Sequence, residues 1–412
     1  MEKILIDTLF IVYYFFIEGK ENEMKKKRIV VIPSDALDDY IKNGMSEEYI
    51  REYYNPKGYY EEVFVVSPLE KGITKKYGMT IIGTSVFGLH KVIKKINPDI
   101  IRAYDGFKCA DWLSLARIDG IPTVCSVHDS REELIHQSLK YADVVICMSN
   151  IVKSNVCKVV KGIDKNRVIV MPNRVDVELF SKKNNEIFNE RQNEIYKHKY
   201  HIIHIGRKTV QKNIDTVIKA AKYLDDDYSI IFIGRGNAEP YQQLAEIEGV
   251  TDKCFFVESI PNNELPYWYS WCDCMCTPSR WEGFGFVFIE AAACGAKIIT
   301  SDLAPMNEYL QDGISAFLIK DFENPQVVAE YIRKVCISEY SSITNEARKV
   351  AMGFSKETVD DKEIKIMENA KNISSTSLKQ ILFGVAIMIS YDLVYFYRSV
   401  KHCFEAFLQH YR

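Results

Sequence analysis

From Arg28 to about Glu178 the chain alternates short apolar runs with longer mixed segments. RIVVI, EEVFVVS, PDIIRAY, IPTVCSVH, ADVVICMS and NRVIVMPN each end in polar or turn residues. Runs that are apolar without alternation fit strands buried on both faces, as in a parallel sheet. The segments between them are long enough for the crossover helices that parallel strands require. A polar stretch from Ser181 to Lys199 interrupts the series. HIIHIGR, YSIIFIGRG, KCFFVES, CDCMCTPS, AKIITSD and SAFLIK then repeat it. The pattern predicts two doubly wound α/β domains in tandem, residues 28–180 and 200–370, facing each other across a cleft.

Both ends read as additions, residues 1–27 and 371–412. Ile4 to Ile17 is apolar apart from Asp7 and Thr8, and the basic run Lys25 to Arg28 follows. In the tail, Leu378, Ile381, Leu382, Val385, Met388, Ile389, Leu393 and Phe396 recur at helical steps. Both apolar segments are shorter than the ~20 residues of a spanning helix, and each holds an aspartate. Either the two ends pack on each other, or they form an apolar surface whose Arg398, Lys401 and Lys25–Arg28 meet anionic lipid.

Composition narrows the class. The 412 residues are 47% hydrophobic and 26% charged, a globular balance, and the net charge of -3 does not point to nucleic acid as a partner. The 11 cysteines are scattered, and Cys109, Cys125, Cys147 and Cys294 sit in apolar runs as small hydrophobes. With no signal-peptide pattern, this reads as a cytoplasmic protein with reduced thiols. Cys272, Cys274 and Cys276 alternate in WCDCMCTPS and predict one buried strand face rather than a metal site. Asp225 to Asp227 is a polar turn between a helix and a strand, so no divalent-ion site is expected.

The candidate chemistry lies in the second domain. In RWEGFGFVFIEAAACGAKIITSD, Glu282 precedes a glycine turn and Glu290 lies inside the apolar run that follows. Gly283 and Gly285, flanking Phe284, allow close backbone approach of a ligand. A helix from about Phe286 to Ala293, ended by Gly295, would offer its free N–H groups to an anion. Carboxylates accept from hydroxyls, so two carboxylates around a helix start suit a ligand with a phosphate centre and hydroxyls at both ends. A nucleotide sugar has that layout. In HIGRKTVQKN, Gly206 and Arg207 follow a strand and Lys212 precedes the next helix, so two cations could neutralise a diphosphate. Taken alone, such cations are more often solvated loop charge. His128 closes the first-domain strand SVHDS and would face the cleft. Gly234 in FIGRGN marks a further strand-end turn, and Gly206, Gly234, Gly283, Phe284, Gly285 and Glu290 are the residues expected to contact the bound ligand.

Together these residues resemble the family 4 glycosyltransferases over about Arg28 to Glu368. EGFGFVFIE matches the family's pair of glutamates separated by seven residues. GRKTVQKN is similar to its phosphate-binding segment. YADVVICMSNIVKSNV and VIVMPNRVDVELF are similar to its interdomain stretch, although Arg174 stands where members usually have glycine. VVIPSDALDD lacks the glycine-rich loop often found after the first strand. The resemblance implies the GT-B fold, two Rossmann-like domains, and a retaining, metal-independent hexosyltransferase with no cofactor. Its donor would be a nucleoside-diphosphate sugar and its acceptor a glycan or lipid-linked hydroxyl. Arg207 and Lys212 would stabilise the leaving diphosphate, Glu290 hold the ribose, Glu282 bind sugar hydroxyls, and His128 contact the transferred sugar. A sugar-nucleotide epimerase or hydrolase of the same fold, and a non-catalytic partner of another transferase, are the alternatives.

Overall fold

The structure, a computed structural model, describes residues 27–42, 44–184 and 197–373 and positions 382, 385, 386 and 389. The apolar segment Ile4–Ile17 and nearly all of the tail stripe therefore lie outside the described residues. The first sheet contains Arg28–Ile32 (β1), Glu62–Ser67 (β2), Ile73–Lys76 (β3), Met79–Gly83 (β4), Ile100–Tyr104 (β5), Thr123–Val127 (β6), Val144–Cys147 (β7) and Val168–Val170 (β8). Its order is β3-β4-β2-β1-β5-β6-β7-β8, parallel except for the β3–β4 pair. The second contains Tyr200–Ile205 (β9), Tyr228–Ile233 (β10), Cys254–Val257 (β11), Cys274–Cys276 (β12), Ile298–Ser301 (β13) and Phe317–Ile319 (β14). Its order is β11-β10-β9-β12-β13-β14, all parallel.

The apolar runs become these strands because helices cover both faces, as continuous apolarity demands. Central strands β5, β6 and β10 are buried along their whole length. One hydrophobic core backs each sheet on its outer side. A third is continuous across both domains, from Tyr54, Tyr104 and Ile146 to Ile203, Phe284 and Phe288. The β3–β4 hairpin carried no turn signal in the sequence. Its two turn residues, Tyr77 and Gly78, both have positive φ, 57° and 72°, and a tyrosine there is not the usual Asn or Asp. Lys75 and Lys76 then keep this edge polar.

The cysteine alternation needs a correction. Cys274 and Cys276 lie on β12 in one buried core, whereas Cys272 precedes the strand and packs against another.

After the second domain the chain returns to the first. Helix Lys356–Asn369 brings Asp360 and Glu363 against it. Arg102, buried on β5, pairs with Glu363, and Arg174 pairs with both Asp360 and Glu363. The arginine that departs from the family pattern is therefore structural, because it helps neutralise two carboxylates that are 1% exposed. Part of the basic run expected to meet lipid is also engaged, with Arg28 bound to Glu62 at 2.6 Å and Lys27 donating to the Tyr59 hydroxyl at 2.6 Å.

Candidate active site

Two loops at the carboxyl ends of β9 and β12 build the site. Gly206 ends β9 with φ 155°, and a Cβ there would lie 2.7 Å from Lys212 Cε. Its missing side chain lets the Lys212 stem fold back over the strand end. Asn213 sits in the left-handed region at φ 56° and donates to the carbonyls of Pro278 and Phe322, at 3.1 and 3.0 Å. That anchors the start of helix Ile214–Ala220. The loops are tied at several further points. Arg280 N donates to Gln211 O at 2.8 Å, and the Arg280 guanidinium grips Asp215 with two bonds of 2.9 and 3.0 Å.

These ties bring the predicted ions together. Lys212 Nζ lies 2.6 Å from Glu282 Oε1, both side chains being about 10% exposed or less. Gln211 Nε2 donates to Glu282 Oε2 at 3.2 Å and to Trp281 O at 2.9 Å. The Arg207 side chain is exposed and makes no hydrogen bond or ion pair with the described residues. The structure therefore leaves one cation of the pair free and holds the other by a buried carboxylate.

Gly285, at φ 86°, begins helix Phe286–Cys294 without a side-chain cap, and Gly295 ends it at φ 77°. The helix start thus keeps unsatisfied donors, the condition for anion binding. Glu290 lies on this helix and accepts from the Tyr269 hydroxyl at 3.0 Å. Burial pushes its carboxyl up to about 7, against the opposing effects of the Tyr269 hydrogen bond and the Lys212 charge. Two residues assigned to ligand contact have other surroundings. The Phe284 side chain is buried among Phe286, Tyr309 and Phe354, so only its backbone is left for a ligand. A Cβ on Gly234 would overlap the Gly206 carbonyl, so this glycine lets the ends of β9 and β10 meet.

The first domain closes over the same loops. His128 follows β6, and burial, reinforced by the charges of Arg102 and Arg174, lowers its imidazole to about 4. It is neutral at neutral pH, and its buried Nε2 has no partner among the described residues. Tyr104 lies roughly parallel to it, with ring centroids 6.3 Å apart. Gly283, read from sequence as a point of ligand approach, faces the first domain: a Cβ there would overlap the His128 carbonyl oxygen. Ser149 Oγ of the first domain donates to Gly283 O at 2.8 Å. Sequence reasoning did not single out Gln211, Tyr269 or Ser149. Gln211 lay inside the cation segment, one residue from Lys212, but the other two gave no local signal. Among the described residues no group of three or more His, Cys, Asp and Glu is placed to hold a metal ion. No described helix is long and apolar enough to cross a membrane.

A fold of two facing parallel sheets, with cations and carboxylates at the strand ends of the second, defines a class. The family described as "Glycosyl transferases group 1" matches residues 185–350, and "Glycosyltransferase Family 4" matches residues 40–179. The chain belongs to the family 4 glycosyltransferases and has the GT-B fold. It is 30% identical over 175 residues to an uncharacterised protein of the cps region of Klebsiella pneumoniae, covering 42% of this chain and 47% of that one. It is 30% identical over 182 residues to the O-antigen chain mannosyltransferase RfbU of Salmonella typhimurium, covering 44% and 48%. The chain thus spans about half the length of these two curated relatives. The crystal structure of HepE from Anabaena in complex with UDP and glucose superposes with a TM-score of 0.69 at 18% identity, covering 84% of this chain and 100% of that one.

Proposed function

We propose that the cleft binds a nucleoside-diphosphate sugar and transfers its sugar, with retention at the anomeric carbon, to an acceptor hydroxyl presented by the first domain. The observation that carries this reading is the buried Lys212–Glu282 pair, beside Glu290 and an Arg207 unpartnered among the described residues, at an uncapped helix start. Arg207 and Lys212 meet the diphosphate, whose negative charge grows as the sugar departs. Lys212 gives one of its three N–H donors to Glu282 and keeps the others for phosphate oxygens. The amides at the start of helix Phe286–Cys294 add to the same field. Glu290 accepts from the ribose hydroxyls, Glu282 orients the donor sugar, and neutral His128 meets that sugar from the first domain. The reading needs no metal ion.

Anabaena HepE was crystallised with UDP and glucose, which makes uridine donors the first to test. The O-antigen chain mannosyltransferase and the cps-region relative support an acceptor in glycan synthesis. The test is to incubate the full chain with a panel of sugar nucleotides, with and without glycan and lipid-linked acceptors, and to measure nucleoside diphosphate and product. Acceptor-dependent release supports transfer. Release without acceptor marks a hydrolase, and binding without release marks a non-catalytic partner.

A further inference from the structure

The residues that hold the donor loop also grip the other domain. Short helix Met306–Tyr309 belongs to the second domain. The Tyr309 hydroxyl donates to Phe284 O at 2.7 Å, inside the loop that carries Glu282. Its neighbour Glu308 reaches the first domain. One carboxylate oxygen accepts from Asn150 N at 2.7 Å and from Asn150 Nδ2 at 3.1 Å, and the other accepts from Ile151 N at 2.8 Å. Those amides open helix Asn150–Val159, where unsatisfied donors and the helix dipole favour an anion. Ser149, the N-cap of that helix, donates to Gly283 O at 2.8 Å. One helix start of the first domain is thus joined to the donor loop twice: directly through Ser149, and through Glu308 and Tyr309.

We propose that Glu308 is a positioning residue that latches the two domains together and thereby sets the Glu282–Gly285 loop for donor binding. The inference rests on the donor reading above, but the latch itself is a contact between two domains and is measurable without a donor. Asn150 and Glu308 are exposed, so the contact is of the screened kind and biases the closed state by roughly two- to fivefold. A donor that binds only the closed state loses apparent affinity in proportion to the closed fraction.

Two variants approach the contact from opposite domains. Glu308→Gln removes the charge. Asn150→Pro removes the Asn150 donors at the first helical position, where proline is well tolerated, and the preceding Ser149 is already extended at φ -156° and ψ 169°. Amide hydrogen exchange of the ligand-free full chain is measured first, followed by UDP affinity at low and high salt. The expected result is faster exchange at 282–285 in each variant, together with faster exchange at residues 150 and 151 in Glu308→Gln and at residue 151 in Asn150→Pro, which has no amide hydrogen at 150. Where UDP binds, its dissociation constant rises two- to fivefold at low salt, less at high salt, and no further in the double variant. Faster exchange at 150–151 with the donor loop unchanged would reduce Glu308 to a local helix cap and overturn the proposal. Multiplying effects in the double variant would also overturn it, because the two residues would then act independently. If UDP does not bind, the exchange result alone decides the latch, and only the uridine assignment fails.

Discussion

The strand-end loops of the two domains follow different rules. In the second domain they are short, punctuated by glycine, and hold Glu282 between the Lys212 ammonium at 2.6 Å and the Gln211 amide at 3.2 Å. In the first domain, the segment after β1 leads into a cluster of tyrosines. Tyr49 and Tyr53 stack with centroids 5.8 Å apart, and Tyr53, Tyr54 and Tyr104 meet at 4.9 to 5.3 Å. A diphosphate and a ribose present the same groups whatever sugar they carry, so fixed charges on rigid turns suffice to hold them. Tyr54 and Tyr104 are 1% and 3% exposed, so this cluster is packed core, and its edge-to-face rings fix the strand ends of the first domain by apolar contact. The comparison teaches that the strand ends of the second domain are set by charge and backbone geometry, those of the first by apolar packing.

The sharpest way to break this contrast is through the cations. Lys212→Ala and Arg207→Ala are each expected to lower kcat/KM on the order of 10²–10³-fold, measured with the donor identified by turnover. They should separate in stability. Lys212→Ala leaves Glu282 buried without its cation, a loss of about 3–5 kcal/mol for a buried pair, whereas Arg207→Ala should leave the denaturation midpoint unchanged. Equal stability losses would mean that Arg207 has a structural partner and would remove it from the binding wall.

Arg174→Gly tests the first domain in the opposite sense. Restoring the residue usual in the family leaves Asp360 and Glu363 short of a cation, with a destabilisation of up to about 3–5 kcal/mol by chemical denaturation and little change in donor affinity of the folded protein. Adding Asp360→Asn should recover part of the loss. A selective fall in donor affinity without loss of stability would move Arg174 into the site.

A smaller effect is expected from Glu290, and its sign is informative. The folded-state carboxyl is raised to about 7, above its ordinary value of 4.5. The folded protein therefore binds the proton more tightly, and the cost of the buried charge is absent below pH 4.5, grows between 4.5 and 7, and is complete above 7. Glu290→Gln should raise Tm on the order of 2 °C at pH 8, leave it unchanged near pH 4.5, and weaken donor binding. A lower Tm at pH 8 would show that the carboxylate stabilises the fold instead of being held ready for a ligand.

How far the sequence revealed all this follows the same division. The apolar runs marked both sheets, because strands buried on two faces have no other composition open to them. The β3–β4 hairpin escaped because its turn is Tyr77–Gly78, and tyrosine is not a turn residue. Arg207, Lys212, Glu282 and Glu290 were singled out because each lies in a short local pattern that contains glycine. Tyr269 and Ser149 were not: their partners, Glu290 and Gly283, are 21 and 134 residues away, and only the folded chain brings them together. Gly283 shows a subtler failure. Its need for a missing side chain was visible, but what approaches it, the carbonyl of His128 or a ligand, is a matter of domain packing that no local pattern records.

The central claim is that the charged wall of the cleft holds a nucleoside-diphosphate sugar. Its most direct test is a thermal-shift titration of the full chain and of Arg207→Ala with UDP, GDP, ADP, CDP and dTDP sugars. At least one donor should stabilise the parent chain by roughly 2.7 kcal/mol at 100 times its dissociation constant, and the same concentration should stabilise Arg207→Ala far less. No shift with any nucleotide sugar, or the same shift in both proteins, would contradict the account.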